Sequence, residues 1–481
     1  MKYLLAHDFG TSGLKSSLFT TEGDFIATHT EAYPTFYSNG SWVEQDPEDW
    51  WKAFCVNNKL LLKDIVLEDV IAVGFDGTNP NCTCIGVDNR PLRNCIIWQD
   101  ARAVEENDWL SGALPEKYTA SRPNHKLGTD RSICKLLWVK NHQPEIFEKT
   151  KKVLPCVQDY IILKLTGRAC TCDEVAGSSA FMNVEKTDWS QEVLSIAGIP
   201  MSLMPEIHKR TDVVGEIDAR FSEECGLAAG TKLVMGSGDT QCMNVGVHMF
   251  KPGDGYLNGG TSAGVIAWSD KMTKLGGQTA SSGSSLSWLK NTICLHEQDL
   301  EKEIGKDVYS ILNEEALKSP VGCNGVMFHP YLAGERAPRN NPLARGSFTG
   351  ISLTTTRADL IRSVIEGIGL NVNLILKGIR EQGYPLKRIP FVGGMGRGEI
   401  TRQILADIMD VEFIIYDHID EAATAGVAVL TGMAIGIFED EIAVEKFMKP
   451  VEIVKPNKEN HKEYEKLMPK FEAIYNALVP V

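Results

Sequence analysis

The residues of this chain that could do chemistry sit on glycine-rich turns that follow apolar strands. An apolar stretch at residues 3–6 runs into His7-Asp8 and then Phe9-Gly10-Thr11-Ser12-Gly13-Leu14-Lys15. A strand that ends in an Asp and turns through Gly10, Thr11 and Ser12 presents N–H and hydroxyl donors to an anion, with Lys15 close behind. Asp8 can hold Mg²⁺, directly or through water, beside the same phosphates. Read alone, the segment is equally an ordinary β-turn with a solvated Asp. A second turn of the same kind, Gly260-Thr261-Ser262, follows 250 residues later, again between apolar strands. Two such turns, one per domain, can face a cleft and grip successive phosphates. Phosphoryl transfer asks for this kind of positioning and charge neutralisation more than for covalent chemistry.

The reaction also needs an acceptor for a hydroxyl proton. Asp239, in Gly236-Ser237-Gly238-Asp239 at the end of the apolar stretch 233–238, is the candidate catalytic base, and with Asp8 the candidate metal ligand. On its own it reads as a turn-capping Asp. Gly393-Gly394-Met395-Gly396-Arg397 follows the apolar residues 389–392, and a glycine turn there lets a flat ring or a phosphate approach the backbone.

Several chemistries are excluded. The chain has no G-x-x-x-x-G-K-[ST] and so no P-loop. Asp8-Phe9-Gly10 spells the DFG of protein kinases, but so near the start that no glycine-rich loop, strand lysine or catalytic loop can precede it. A net charge of −14 opposes nucleic acid or an anionic membrane as the main partner. No run of 18 apolar residues predicts a spanning helix, and the opening residues lack the apolar core of a signal peptide. The 12 cysteines are scattered; Cys82-x-Cys84 and Cys170-x-Cys172 lack the two-residue gap of a zinc or redox motif, so reduced, buried, cytoplasmic thiols are expected.

The elements that must position these residues follow from the same stretches. At 481 residues the chain is long enough for two large domains. The repeated strand–turn–strand at half-chain spacing predicts a duplicated fold, divided near Gly246 into 1–246 and 247–481. Residues 3–30 read as a three-stranded meander, Asp46-Pro47 as the start of a helix, and 70–75 as a buried strand leading into the loop 76–81. Helices are expected at 134–140, 159–165, 357–381, 399–409, 421–436 and 455–470.

Taken together, these residues resemble the FGGY carbohydrate kinases over nearly the whole chain, and among them the xylulose kinases. Residues 8–15 are similar to that family's first phosphate motif and Gly260-Thr261-Ser262 to its second. Trp42-Val43-Glu44-Gln45-Asp46-Pro47, Trp98-Gln99-Asp100-Ala101-Arg102, Gly236 to Asp239, Tyr331 to Pro338, and Gly393 to Arg397 with Ala406-Asp407 follow in the family's order. The resemblance implies an α/β fold of two duplicated actin/Hsp70/hexokinase-type, ribonuclease H-like domains with an interdomain cleft, each a mixed five-stranded sheet flanked by helices. It implies ATP and Mg²⁺, with ATP mostly on the C-terminal domain and a small sugar mostly on the N-terminal one. Asp239 would be the base, and a homodimer would be the ordinary assembly.

One loop departs from the pattern. Xylulose kinases usually carry Gln-Met-His-Gly there, whereas this chain reads Gly77-Thr78-Asn79-Pro80-Asn81-Cys82, with no His; the Arg-Glu of glycerol kinases is absent too. The catalytic assignment is unaffected and the acceptor is left open among a ketose, a polyol, a longer ketose and a signalling carbonyl compound. Thr78, Asn79 and Asp100 are the candidate polar contacts to it, and Trp42 a candidate stacking surface. The competing class is an actin/Hsp70-type ATP-binding regulatory protein with no sugar acceptor. Asp239 and the segment 331–338 speak against it.

Overall fold

A computed structural model describes residues 1–120 and 123–478. The chain divides into two compact units, residues 1–246 with 421–447, and residues 247–420 with 448–481. The first holds strands β1 (Tyr3–Phe9), β2 (Gly13–Thr20), β3 (Phe25–Ala32), β4 (Val70–Gly77), β5 (Val213–Glu216) and β6 (Lys232–Gly238). They form a six-stranded sheet in the order β3-β2-β1-β4-β6-β5. The second holds β7 (Gly255–Gly259), β8 (Ala263–Trp268), β9 (Lys274–Gln278), β10 (Arg388–Val392), β11 (Glu412–Tyr416) and β12 (Pro450–Val454), in the order β9-β8-β7-β10-β11-β12.

The two sheets share one pattern: an antiparallel meander of three strands, then two parallel strands, then an antiparallel edge. Each therefore has six strands where five were expected. The added strand is the edge, β5 against β6 and β12 against β11. It is short or largely exposed in both cases, so it carries little of the hydrophobic signal by which a strand is read.

Burial decides which segments became strands. Leu4, Leu5 and Ala6 on β1 and Ala72, Val73 and Phe75 on β4 are fully covered. Strands covered on both faces read as continuous apolar runs. Helix Pro47–Leu61 begins where Asp46 accepts the Glu48 N–H at 2.9 Å, with Pro47 in the first turn. Helix Arg357–Glu381 begins with a reciprocal cap between Thr356 and Asp359. The connection from β4 to β6 builds a satellite core around Ile133, Leu136, Trp138 and Phe181. It carries the helix Ser132–His142 alongside the loop that follows β4.

Helix Ala422–Ala434, expected with the second domain, belongs to the first unit. Its small residues permit backbone contact. A Cβ on Gly426 would lie 2.0 Å from Cys242 O, one on Gly246 1.7 Å from Ala422 O, and one on Gly74 of β4 1.9 Å from Thr431 Oγ1. The helix is thus seated on β4 and on the helix Asp239–Gly246, with no room for a methyl group at the crossing. Gly426→Ala is expected to destabilise the first unit by about 1–3 kcal/mol through overpacking. Thermal unfolding checks this: the transition moves down by several degrees, and an unchanged Tm contradicts the crossing.

Candidate active site

The strand register gathers the carboxylates. Asp8 on β1 stands opposite Lys15 on β2 and beside Asp76 on the parallel strand β4, and Asp76 in turn pairs with Ser237 on β6. One step past the end of β6, Asp239 opens the helix Asp239–Gly246, its Oδ1 accepting the Thr240 N–H at 2.5 Å. Three neighbouring parallel strands therefore end on acidic side chains at one edge, the edge at which open α/β sheets hold ligands. Asp76 is fully buried, and the side-chain partner of its carboxyl is the neighbouring carboxyl of Asp8. Burial, then the carboxylates of Asp8 and Asp239, hold its pKa well above the ordinary carboxylate value.

Around these acids the first unit balances charge locally. Lys15 Nζ lies 3.8 Å from Glu421 Oε1, while Glu421 Oε2 accepts from Ser17 Oγ at 2.6 Å. Arg210 pairs with both Glu174 and Glu441. Ser237 Oγ donates to Glu174 at 2.6 Å and Gln158 Nε2 donates to Ser237 O at 2.7 Å, which fixes the β6 end. Gly236 has φ +65°, and a Cβ there would strike Phe75 O at 1.7 Å, so this turn needs glycine.

The turn between β1 and β2 has its carbonyls occupied from behind. Tyr33 Oη donates to Gly10 O, Gln45 Nε2 to Thr11 O at 2.6 Å, and the Tyr33 N–H to Ser12 O at 3.3 Å. Trp98 Nε1 reaches Thr11 Oγ1 at 3.1 Å. In the second unit the turn Gly260-Thr261-Ser262 between β7 and β8 is held the same way. Gly260 O accepts from the Gly283 N–H at 3.1 Å, and Thr261 O from Ser282 and Ser284 at 3.1 and 3.0 Å. A turn whose carbonyls are tied down in this way can present its N–H groups to an anion.

Also in the second unit, Gly393 (φ +89°) sits against the end of β7, and a Cβ there would lie 2.9 Å from Gly259 O. A Cβ on Gly394 would meet nothing within 4 Å, so open space lies over that backbone. Met395 is buried, and Arg397 is held by Asp420.

Comparison with known proteins decides the family. The model of the FGGY family of carbohydrate kinases, N-terminal domain, matches residues 3–246, and that of its C-terminal domain residues 235–435. The chain belongs to the FGGY family of carbohydrate kinases. Its reaction is the ATP-dependent phosphorylation of a sugar. A gluconokinase of Bacillus subtilis is 28% identical over 98% of this chain and 94% of its own. A xylulose kinase of Staphylococcus epidermidis is 29% identical over 98% and 96%. The crystal structure of a ligand-bound xylulose kinase from Lactobacillus acidophilus superimposes with a TM-score of 0.84 at 25% identity, covering 100% of this chain and 99% of that one. A gluconate kinase from the same organism gives 0.84 at 26%, covering 99% and 98%.

The remaining site candidates of this kinase fall into two groups. Asn79 lies at the β6 end: a Cβ on Gly238 would be 2.1 Å from Asn79 Nδ2 and 2.6 Å from Gln241 Oε1. Ser178 Oγ donates to Asn79 Oδ1 at 2.9 Å. Ser178 and Gln241 both line a cavity of about 660 Å³ in the first unit. Thr78 is buried beneath Asn79, with its N–H on Phe9 O at 3.0 Å.

Trp42 and Asp100 are placed otherwise. Arg102 lies over the Trp42 ring, 4.1 Å from its centroid, and the edge of Trp138 packs at 5.1 Å. Asp100 is 1% exposed, and its oxygens are filled by Arg102 and by the Val43 N–H at 2.6 Å. Asp100 is spent on fixing the segment 98–102, and the Trp42 ring, half-buried, carries Arg102 on one face.

Asp76 was not among the expected site residues. Its signal is the repetition of apolar strand, Asp and Gly at Asp8, Asp76 and, with Gly first, Asp239; the loop reading of 76–81 hid it. Since Asp76 is harder to ionise in the fold than in the open chain, its contribution to stability is complete below the ordinary value of 3.8 and is lost as pH rises. Asp76→Asn removes that loss. Its Tm is expected to exceed the native one by about 2–4 °C at pH 8, the shift for about 1 kcal/mol, and to converge with it below about pH 4. A difference independent of pH contradicts a carboxyl whose ionisation is opposed by burial and by the acids beside it.

Proposed function

We propose that this kinase transfers the γ-phosphoryl group of ATP to a hydroxyl of a neutral ketose or polyol, with Asp239 accepting the hydroxyl proton. The observation that carries this is the place of Asp239. It is a half-buried carboxylate at the opening of a helix, adjoining Gly238, whose backbone touches Asn79 and Gln241. An ordinary carboxylate suffices as the acceptor, because in a loose transition state the proton leaves late.

Charge supports a neutral acceptor. Xylulose carries no charge and gluconate carries a carboxylate. Asp8, Asp76, Asp239 and Glu174 crowd the strand ends, where Lys15 and Arg210 are matched by Glu421, Glu174 and Glu441; Lys117, Arg131 and Lys186 line the cavity farther out. At the strand ends a further carboxylate would enter a field of its own sign. Asn79, Ser178 and Gln241 instead offer amide and hydroxyl groups suited to a polyhydroxy chain.

In the same reading the turn at Gly10, Thr11 and Ser12, with Lys15, contacts phosphate. The turn at Gly260, Thr261 and Ser262 and the backbone at Gly393, Gly394, Met395 and Arg397 hold the nucleotide. Mg²⁺ takes one or two carboxylates and completes its shell with phosphate oxygens and water. Asp8 and Asp76, with Asp239 close by, are the residues that would hold it, and its charge would offset that of the phosphates. All 12 cysteines are free and buried, which suits the reducing cytoplasm.

The test is ADP release with Mg-ATP across xylulose, ribulose, fructose, sedoheptulose, glycerol, erythritol, the pentitols and gluconate. A neutral compound is expected to stimulate turnover, and Asp239→Asn to lower kcat by roughly 10²–10⁴-fold. Stimulation by gluconate alone, or full activity in the variant, refutes the assignment. Gly394→Val probes the nucleotide side. The side chain fits the open space without strain on the fold, so the KM for ATP is expected to rise at least about tenfold at constant Tm, and an unchanged KM removes the nucleotide from that turn.

A further inference from the structure

We infer that Lys135, which sits outside the reacting set, is a positioning residue for the acceptor: its ammonium holds the loop 77–82 through the Pro80 carbonyl. This rests on the reading that the loop contacts the acceptor.

Lys135 lies on the helix Ser132–His142 and is 0% exposed. Its Nζ donates to Pro80 O at 2.7 Å, its single hydrogen bond among the described residues. The ionisable groups that act on it are Cys95, Asp130, Cys82 and Asp100. A hydrogen bond with Cys84 and burial push the Cys82 thiol up, burial pushes Cys95 up, Asp100 is filled by Arg102, and Asp130 is half-buried and paired with Arg131. No carboxylate therefore neutralises the ammonium directly. A buried charge on a lone carbonyl is costly, and an apolar residue in this satellite core would pack at least as well. A charge-assisted bond to one carbonyl does supply a short, directional tether.

The tether falls at the centre of the loop. On one side of Pro80, Asn79 lies against Gly238, next to Asp239, and receives the Ser178 hydroxyl. On the other side Asn81 donates to Thr78 O at 2.8 Å and accepts the Trp98 N–H at 2.9 Å, while the Trp98 indole reaches Thr11 of the phosphate turn. The loop thus spans from the proposed base to the first phosphate cradle, and Lys135 pins its middle from below. A displacement of Pro80 would move Asn79 and Asn81 together.

The experiment is steady-state kinetics on the full chain with the best acceptor of the panel above, for Lys135→Met, Pro80→Gly and the double variant. Lys135→Met keeps the stem and removes the donor. The expected result is an acceptor KM raised about tenfold with the KM for ATP within twofold of native. Pro80→Gly is expected to act in the same direction with Lys135 intact, so the measurement stands even if Lys135→Met fails to fold. The double variant is expected to be no worse than the poorer single one, because both changes release the same loop, Lys135→Met by removing the donor and Pro80→Gly by loosening the backbone that carries the accepting carbonyl. Acceptor and ATP constants that shift equally, an acceptor KM unmoved in either single variant, or strictly multiplicative effects overturn the role of Lys135. A native enzyme stimulated by no neutral acceptor overturns the proposed function, and this inference with it.

Discussion

The structure turns on the burial of carboxylates at the ends of adjacent parallel strands. β1, β4 and β6 run side by side, and their register sets Asp8, Asp76 and Asp239 at one edge of the sheet. Parallel strands make this possible because their C-terminal ends come together. Like charges at low dielectric repel strongly, so the arrangement is a standing source of instability that a cation or the donors of a ligand can relieve. The surrounding features read as its supports. Gly236 and Gly238 let the β6 end lie close to its neighbours, Glu421 and Ser17 order the side of Lys15, and Gln158 and Glu174 hold the backbone and side chain of Ser237.

Duplication supplied two scaffolds, and the chemistry was divided unequally over them. The two sheets share order and direction, and Gly10-Thr11-Ser12 and Gly260-Thr261-Ser262 occupy the same turn of each. Counted from that turn, Asp8 corresponds to Asn258, and the strand partner of Asp8 is Asp76 where that of Asn258 is Val392. The first copy therefore carries charge at the strand ends and the second does not. What the second has at that edge is glycine backbone: Gly393 on the end of β7 and open space over Gly394. One anion cradle, repeated, has been joined to an acidic set in one unit and to an exposed backbone surface in the other.

Much of this was legible in the sequence because strong local signals and the fold agree. The meander, the helices at 357–381 and 399–409, and the matching Gly-Thr-Ser turns of the two sheets show in periodicity and spacing. What was not legible depends on contacts remote in sequence. Nothing in residues 421–436 says that their helix is covered by the first sheet; that follows from Gly426 and Gly246 meeting partner backbones. Trp42 and Asp100 carry chemistry-bearing side chains, and only the fold shows that Arg102 occupies both. Lys135 lies in an apolar helical stretch, where sequence cannot tell a snorkelling lysine from a sealed one.

The acidic edge also bears on how the enzyme can choose its acceptor. Lys15 and Arg210 already have carboxylates beside them. Under the proposed function the acceptor is read by hydrogen-bond geometry, which a misplaced amide loses within a few tenths of an ångström. The loop after β4 is fixed at several points. Asn81 is fully buried and bonded at both ends of its amide, Thr78 is tied to Phe9, and the carbonyl between Asn79 and Asn81 takes a buried ammonium. A loop with the proposed role of reading hydroxyl groups has to be rigid, and here the rigidity is built from polar contacts that a purely apolar core could not aim.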